Sequence, residues 1–173
     1  MQAIEIHTHT RAETQAVGRL IGVLAQDGLV IALNGDLGAG KTTFVQGLAA
    51  GMGIRARVTS PTFVLVNEYD AENGRRLIHV DTYRLAQDAA VVEASTFGLG
   101  DLLDPDDLEG SSVIAIEWAD RVQSLLPDDV LRIEIADASD QSEDRTFHLS
   151  AVGQRSEAVL ARLASRVQEI VKG

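Results

Sequence analysis

The chain has 173 residues, of which 45% are hydrophobic and 24% charged, the balance of one folded globular domain rather than a disordered chain. It contains no cysteine, which excludes disulfides, thiolate metal sites and a thiol nucleophile, and no apolar run approaches the about 18 residues of a membrane-spanning helix. The net charge of −11 arises wholly in residues 88–173, with 18 acidic and 7 basic side chains against 8 of each in residues 1–87, and such a surface disfavours unaided nucleic-acid binding.

The order of elements predicts one α/β domain over residues 1–173. Residues 3–7 form a short strand. Thr10, with Glu13 three residues on, opens a helix as a capping box, and Val17, Leu20, Ile21 and Leu24 follow at helical spacing up to Asp27-Gly28. Residues 29–33 are a fully apolar run of strand length, as in a buried parallel strand. A glycine-rich loop then leads into a helix over residues 41–52. Residues 63–68 and 76–80 are strand-like and flank Asn73-Gly74, a hairpin signal, so an antiparallel pair is expected within a mostly parallel sheet. Residues 86–104 carry a weak helical pattern, and residues 105–112 are an acidic loop. Residues 113–116 form a further apolar strand, 119–126 a short helix stopped by Pro127, and 130–135 and 146–152 two more strands. Val159, Leu160, Leu163, Val167, Ile170 and Val171 mark a closing amphipathic helix. The first residues show no basic stretch followed by an apolar one, so no secretory signal is expected and the cytoplasm is the expected compartment.

Gly35-Asp36-Leu37-Gly38-Ala39-Gly40-Lys41-Thr42 matches G-x-x-x-x-G-K-[ST] in full, between an apolar strand and a helix. Glycines let the backbone close on phosphate, inward N–H groups form an anion nest, and the helix start adds its positive end. Lys41 is expected to reach the β- and γ-phosphates of ATP, Thr42 to ligate Mg²⁺, and residues 35–43, Thr43 included, to line the nucleotide. The chain has only two lysines against 13 arginines, and one of the two falls at this position. A P-loop enzyme also needs a carboxylate at the end of a neighbouring apolar strand. Val113-Ile114-Ala115-Ile116-Glu117 and Leu77-Ile78-His79-Val80-Asp81 both have that form. Glu117 is assigned to the metal shell, and Asp81 to water positioning or an outer metal contact. Ser60, held extended by Pro61, lies in a segment that can sense a γ-phosphate. His79 reads as a strand residue, and His7, His9 and His148 have no metal-ligand spacing.

Guanine specificity is excluded, since neither lysine is preceded by Asn, and Asp107-Leu108-Glu109-Gly110 precedes a strand instead of following one. These features leave open an ATPase, a small-molecule kinase, and a nucleotide-gated assembly factor without turnover. The kinase is disfavoured because the arginines of the second half are scattered and form no lid.

The residues 34–44, Val58-Thr59-Ser60-Pro61-Thr62-Phe63, Glu68-Tyr69, His79-Val80-Asp81-Thr82-Tyr83-Arg84-Leu85 and Ile116-Glu117-Trp118 together resemble the TsaE (YjeE) family of bacterial P-loop ATPases. The resemblance spans about residues 10–152. It implies an ATP-hydrolysing subunit of tRNA threonylcarbamoyladenosine biosynthesis that works with TsaD and TsaB, where TsaD modifies the adenosine beside the anticodon and tRNA is met only through the complex. It also implies Mg²⁺ on Thr42 and Glu117, support of hydrolysis by Asp81, a switch-like segment from Ser60 to Phe63, Trp118 near the site and Arg145 close to the nucleotide. Thr82 and Ala119 depart from the family's usual Leu and Pro, and the acidic 105–112 segment is longer than usual. Weak turnover alone and activation by the partner complex are expected, because no arginine is clearly placed as a finger.

Overall fold

The two apolar runs before the glycine-rich loop and before Glu117 become neighbouring central strands of a seven-stranded sheet. The structure is a computed structural model that describes residues 2–61, 65–86, 89–104, 110, 112–137 and 142–167. The strands are β1 (Gln2–Thr8), β2 (Val30–Asn34), β3 (Val66–Asp70), β4 (Arg76–Asp81), β5 (Ser112–Glu117), β6 (Val130–Asp137) and β7 (Arg145–Val152). Their order is β1-β7-β6-β2-β5-β4-β3. The core run β6-β2-β5-β4 is parallel throughout. The expected hairpin, β3–β4, is antiparallel and forms one edge, with Asp70 opposite Arg76. The other edge is a second antiparallel set, β6–β7–β1, whose pairing the sequence left unspecified.

Helices α1 (Arg11–Leu24), α2 (Lys41–Gly51) and α5 (Gln154–Ala164) cover one face, burying Val17, Ile21, Phe44, Leu48, Val159 and Leu160 against Ile31, Leu33, Ile133 and Phe147. The short helices α3 (Ala90–Thr96) and α4 (Leu99–Leu102), with a 3₁₀ helix at Ala119–Leu125, close the other face over Val30, Ala32, Ile114 and Ile116. The central strands are thus buried on both sides, which is why they read as continuous apolar runs.

Several boundaries differ from the expected ones for local reasons. Leu65 has φ 65°, a left-handed conformation that a strand cannot include, so β3 starts at Val66 instead of Phe63; residues 62–64 lie outside the described residues. The connection after β3 spans five residues, with Gly74 at φ 82° and Asn73 Oδ1 accepting the Arg75 N–H. The 86–104 pattern splits into two helices because Gly98 adopts φ 81° between them. The stretch after Trp118 is 3₁₀ and not α, with Val122 at non-helical angles. At α1, Thr10 Oγ1 accepts the Glu13 N–H at 3.1 Å, and Glu13 returns its carboxylate to the His9 N–H, one residue before the cap. Most of the acidic 105–112 segment, Asp107 to Glu109 with it, and the end of the closing helix lie outside the described residues.

The α1–α2 contact fixes where the loop-bearing helix sits. Gly18 and Gly22 on α1 face Gly47 and Gly51 on α2 at one-turn spacing. A Cβ on Gly47 would stand 2.0 Å from the Gln15 carbonyl oxygen, and one on Gly18 would stand 2.2 Å from that of Phe44. The helices therefore meet backbone to backbone, and α2 cannot move outward without losing that contact. Gly47→Ala should destabilise the protein by about 1–3 kcal/mol, read in thermal unfolding as a fall of roughly 2–4 °C per kcal/mol.

Candidate active site

Parallel pairing brings the carboxyl ends of β2, β5 and β4 side by side. Leu33 pairs with Glu117, and Asp81 with Glu117, so the loop after β2 and the two acids of the sequence analysis share one end of the sheet. The loop leaves β2 at Gly35, where φ is 136° and a Cβ would stand 2.4 Å from the Ile135 oxygen of β6. Only glycine fits that approach. The loop ends at Gly40, φ 104°, which caps α2 with no side-chain hydrogen bond, so the positive end of the helix is offered to whatever binds there.

Lys41 is 4% exposed. Its Nζ donates to the carbonyl oxygens of Gly35 (2.6 Å) and Asp36 (2.8 Å) and lies 3.9 Å from the centre of a Trp118 ring. Burial pulls its pKa below the ordinary lysine value, against the opposing pull of Glu117, Asp81, Asp36 and Asp120. Thr42 Oγ1 donates to Glu117 Oε1 at 2.8 Å. Asp81 Oδ2 accepts from Ser60 Oγ at 2.6 Å, and its Oδ1 accepts the Tyr83 N–H at 2.9 Å. Ser60, the first residue of the segment expected to be switch-like, thus touches an acid of the site; Thr62 and Phe63 lie outside the described residues. A cleft of about 300 Å³ runs over Gly40, Lys41, Thr42, Ser60, Glu117 and Trp118. Leu37, 74% exposed, stands at its mouth.

Arg145 reaches the loop from β7. Its guanidinium donates to Ala39 O (2.9 Å), Gly38 O (3.2 Å), Ser142 O and Asp144 O, and pairs with Asp137 at 2.8 Å. It braces the loop backbone, and it also lines a second cleft of about 200 Å³ with Arg11, Thr14, Thr43 and Gly40 that adjoins the first. A larger concavity, about 540 Å³, lies on the sheet face of Glu5, Arg132, Glu134 and His148 and reaches Asn34 at the end of β2. The chemistry-bearing side chains converge on the smaller clefts.

Trp118 has φ 59°. Thr82 holds it there, with Oγ1 donating to the carbonyl oxygens of Trp118 (2.7 Å) and Glu117 (3.1 Å). Thr82→Val keeps the shape and removes this donor. It should cost about 1–2 kcal/mol and change the emission of the single tryptophan, as measured by chemical unfolding and fluorescence.

His79 is the site residue that sequence reasoning passed over. It lies on β4 as expected, but its Nε2 is 2.8 Å from Glu117 Oε1. Its place two residues before Asp81, on the same face of the strand, was the available signal.

A strand, a glycine-rich loop closed on a buried lysine, and acids at the ends of adjacent parallel strands define a P-loop protein. The model for "Threonylcarbamoyl adenosine biosynthesis protein TsaE" matches residues 8–147, and the chain belongs to the TsaE family. It is 37% identical to the tRNA threonylcarbamoyladenosine biosynthesis protein TsaE of Bacillus subtilis over 95% of this chain and 96% of that one. It is 37% identical to the Streptomyces coelicolor protein of the same name over 79% of this chain and 88% of that one. The crystal structure of Bacillus subtilis YdiB superposes with a TM-score of 0.76 at 33% identity, covering 95% of this chain and 96% of that one. The family's role is in tRNA threonylcarbamoyladenosine biosynthesis. Among the described residues no helix is long and apolar enough to cross a membrane.

Proposed function

We propose that this chain is the Mg²⁺-dependent ATP-hydrolysing subunit for formation of threonylcarbamoyladenosine in tRNA, acting in the cytoplasm with TsaD and TsaB and meeting tRNA only through them. The observation that carries the reading is the Thr42–Glu117 contact at 2.8 Å beside the Lys41 ammonium. A hydroxyl and a carboxylate, both hard oxygen donors, fit Mg²⁺, and an ammonium beside them suits the phosphates that accompany it. Thr42 and Glu117 would hold the ion; when bound, Mg²⁺ neutralises charge on the phosphate oxygens. Lys41 and the N–H groups of the loop and of the first turn of α2 carry the rest of that charge. Asp81, fixed by Ser60 and the Tyr83 N–H, accepts a hydrogen bond from the attacking water and sets its line of approach. Arg145 keeps the Gly38 and Ala39 carbonyls turned away from the phosphates, and the cleft that it lines with Arg11 and Thr43 takes the nucleoside.

Among the described residues lining the phosphate cleft, Lys41 is the one cation. A site without an arginine finger turns over slowly, and an arginine supplied by a partner is worth ~10³–10⁵ in rate. The isolated chain should therefore release phosphate slowly, and TsaD–TsaB should accelerate it by at least about tenfold, a conservative fraction of what such a group can supply. Steady-state phosphate release with and without the pair tests this. Rapid turnover alone, unchanged by the pair, contradicts it.

A further inference from the structure

His79 is 0% exposed, and its Nδ1 has no hydrogen-bond partner among the described residues. A leucine would fill the same space without stranding a buried nitrogen, so the imidazole is there for what its other nitrogen does. That nitrogen, Nε2, lies 2.8 Å from Glu117 Oε1. A carboxylate only accepts, so Nε2 carries the proton that it shares. The register makes the contact possible. His79 lies opposite Ala115, whose small side chain leaves room for the ring to reach along the sheet to Glu117, two residues further on. Glu117 Oε1 thereby takes two donors from two different elements, Thr42 Oγ1 from α2 and His79 Nε2 from β4.

We propose that His79 is a positioning residue that fixes the rotamer of the Glu117 carboxylate for Mg²⁺, so that Glu117 and Thr42 present their oxygens to the ion as a preformed pair. The Thr42 hydroxyl spends its proton on Glu117 and keeps its lone pairs for the cation. His79 holds the carboxylate in the place where Thr42 can reach it. The proposal rests on the reading of this site as a Mg²⁺–nucleotide site. Outer partners of this kind commonly set metal affinity by 10–100-fold, as the second hydrogen-bonding layer of a metal centre.

The test is ADP binding by titration calorimetry, with Mg²⁺ and with EDTA, for wild type, His79→Leu, His79→Gln and His79→Asn. Gln places an amide N–H where Nε2 stands, and Asn places one where Nδ1 stands. In His79→Leu the strengthening of ADP binding by Mg²⁺ should fall ~10–100-fold while metal-free affinity stays within about twofold of wild type. His79→Gln should restore most of the Mg²⁺ effect, and His79→Asn should not. If the Leu variant does not fold, the Gln and Asn pair decides by the same comparison. A Leu variant with the wild-type Mg²⁺ effect overturns the proposal, as does a Gln variant as impaired as Asn. Equal loss of binding with and without metal also overturns it, because that is general damage to the site. A wild-type protein that binds ADP with no Mg²⁺ effect at all removes the underlying reading, and the proposal with it.

Discussion

Lys41→Ala should lower partner-stimulated ATP turnover roughly 10²–10³-fold while leaving the protein folded. The side chain is nearly excluded from solvent, and its ammonium is held across the loop by the Gly35 and Asp36 carbonyls and the Trp118 ring. A desolvated cation acts on phosphate through a low effective dielectric, where each unit of charge counts for more than in water. No other cation lines this cleft among the described residues, and Arg145, which lines the adjoining one, is committed to the Gly38 and Ala39 carbonyls and to Asp137. The fold should tolerate the change. Burial is the larger influence on Lys41 and disfavours its charged form, so removing the ammonium relieves a cost at the same time as it removes two hydrogen bonds. The sign follows: with the folded pKa depressed, this cost is fully present below the folded pKa and disappears as the pH rises past the ordinary lysine value. At neutral pH the Ala variant should therefore melt close to wild type, and the loss of turnover is a loss of chemistry. Lys41→Arg should fail as well, since a planar guanidinium cannot occupy the same pair of carbonyls as a point charge.

Glu117→Gln is the second large effect. The amide has the same shape, and its oxygen can still accept from Thr42 and His79, so the hydrogen-bonded frame at the end of β5 survives. What goes is the negative charge that acts on Lys41 and that would face Mg²⁺. Turnover should fall on the order of 100-fold, with the Mg²⁺ requirement shifted to higher concentration. Binding of ADP without Mg²⁺ should be preserved or strengthened, because a like charge has left the neighbourhood of the phosphates. Parallel titrations of Mg²⁺ in turnover and of metal-free ADP in binding check both halves. A Gln variant with undiminished turnover at low Mg²⁺ removes Glu117 from the metal shell.

The parts of this site that were legible in the sequence are those fixed by local chain chemistry. Gly35, Gly38, Gly40, Lys41 and Thr42 specify a backbone path and its charge within eight positions. Glu117 and Asp81 were legible because a largely apolar strand that ends in an acid places that acid at the rim of a buried sheet. What the sequence withheld depends on register between distant segments. The His79 contact reaches Glu117 across 38 positions, and it exists because β4 and β5 pair with His79 opposite Ala115. The spacing of Gly18 with Gly22 and of Gly47 with Gly51 is visible in the chain, but that the two pairs face each other is a tertiary fact. Arg145 could be placed near the loop by resemblance; that it ties down the carbonyls of Gly38 and Ala39 could not be read from its position. The breaks at Leu65 and Gly98 are single left-handed residues inside otherwise regular patterns, and periodicity averages over them.

The central claim is that ATP turnover at this P-loop serves tRNA modification by TsaD and TsaB. The most direct measurement follows released phosphate and threonylcarbamoyladenosine in the same reaction, with TsaD, TsaB and tRNA, adding wild-type protein or Lys41→Ala. The wild-type chain should raise both together, and the variant should raise neither. Modification that proceeds equally with the variant, or phosphate release that continues without any gain in modified adenosine, would contradict it.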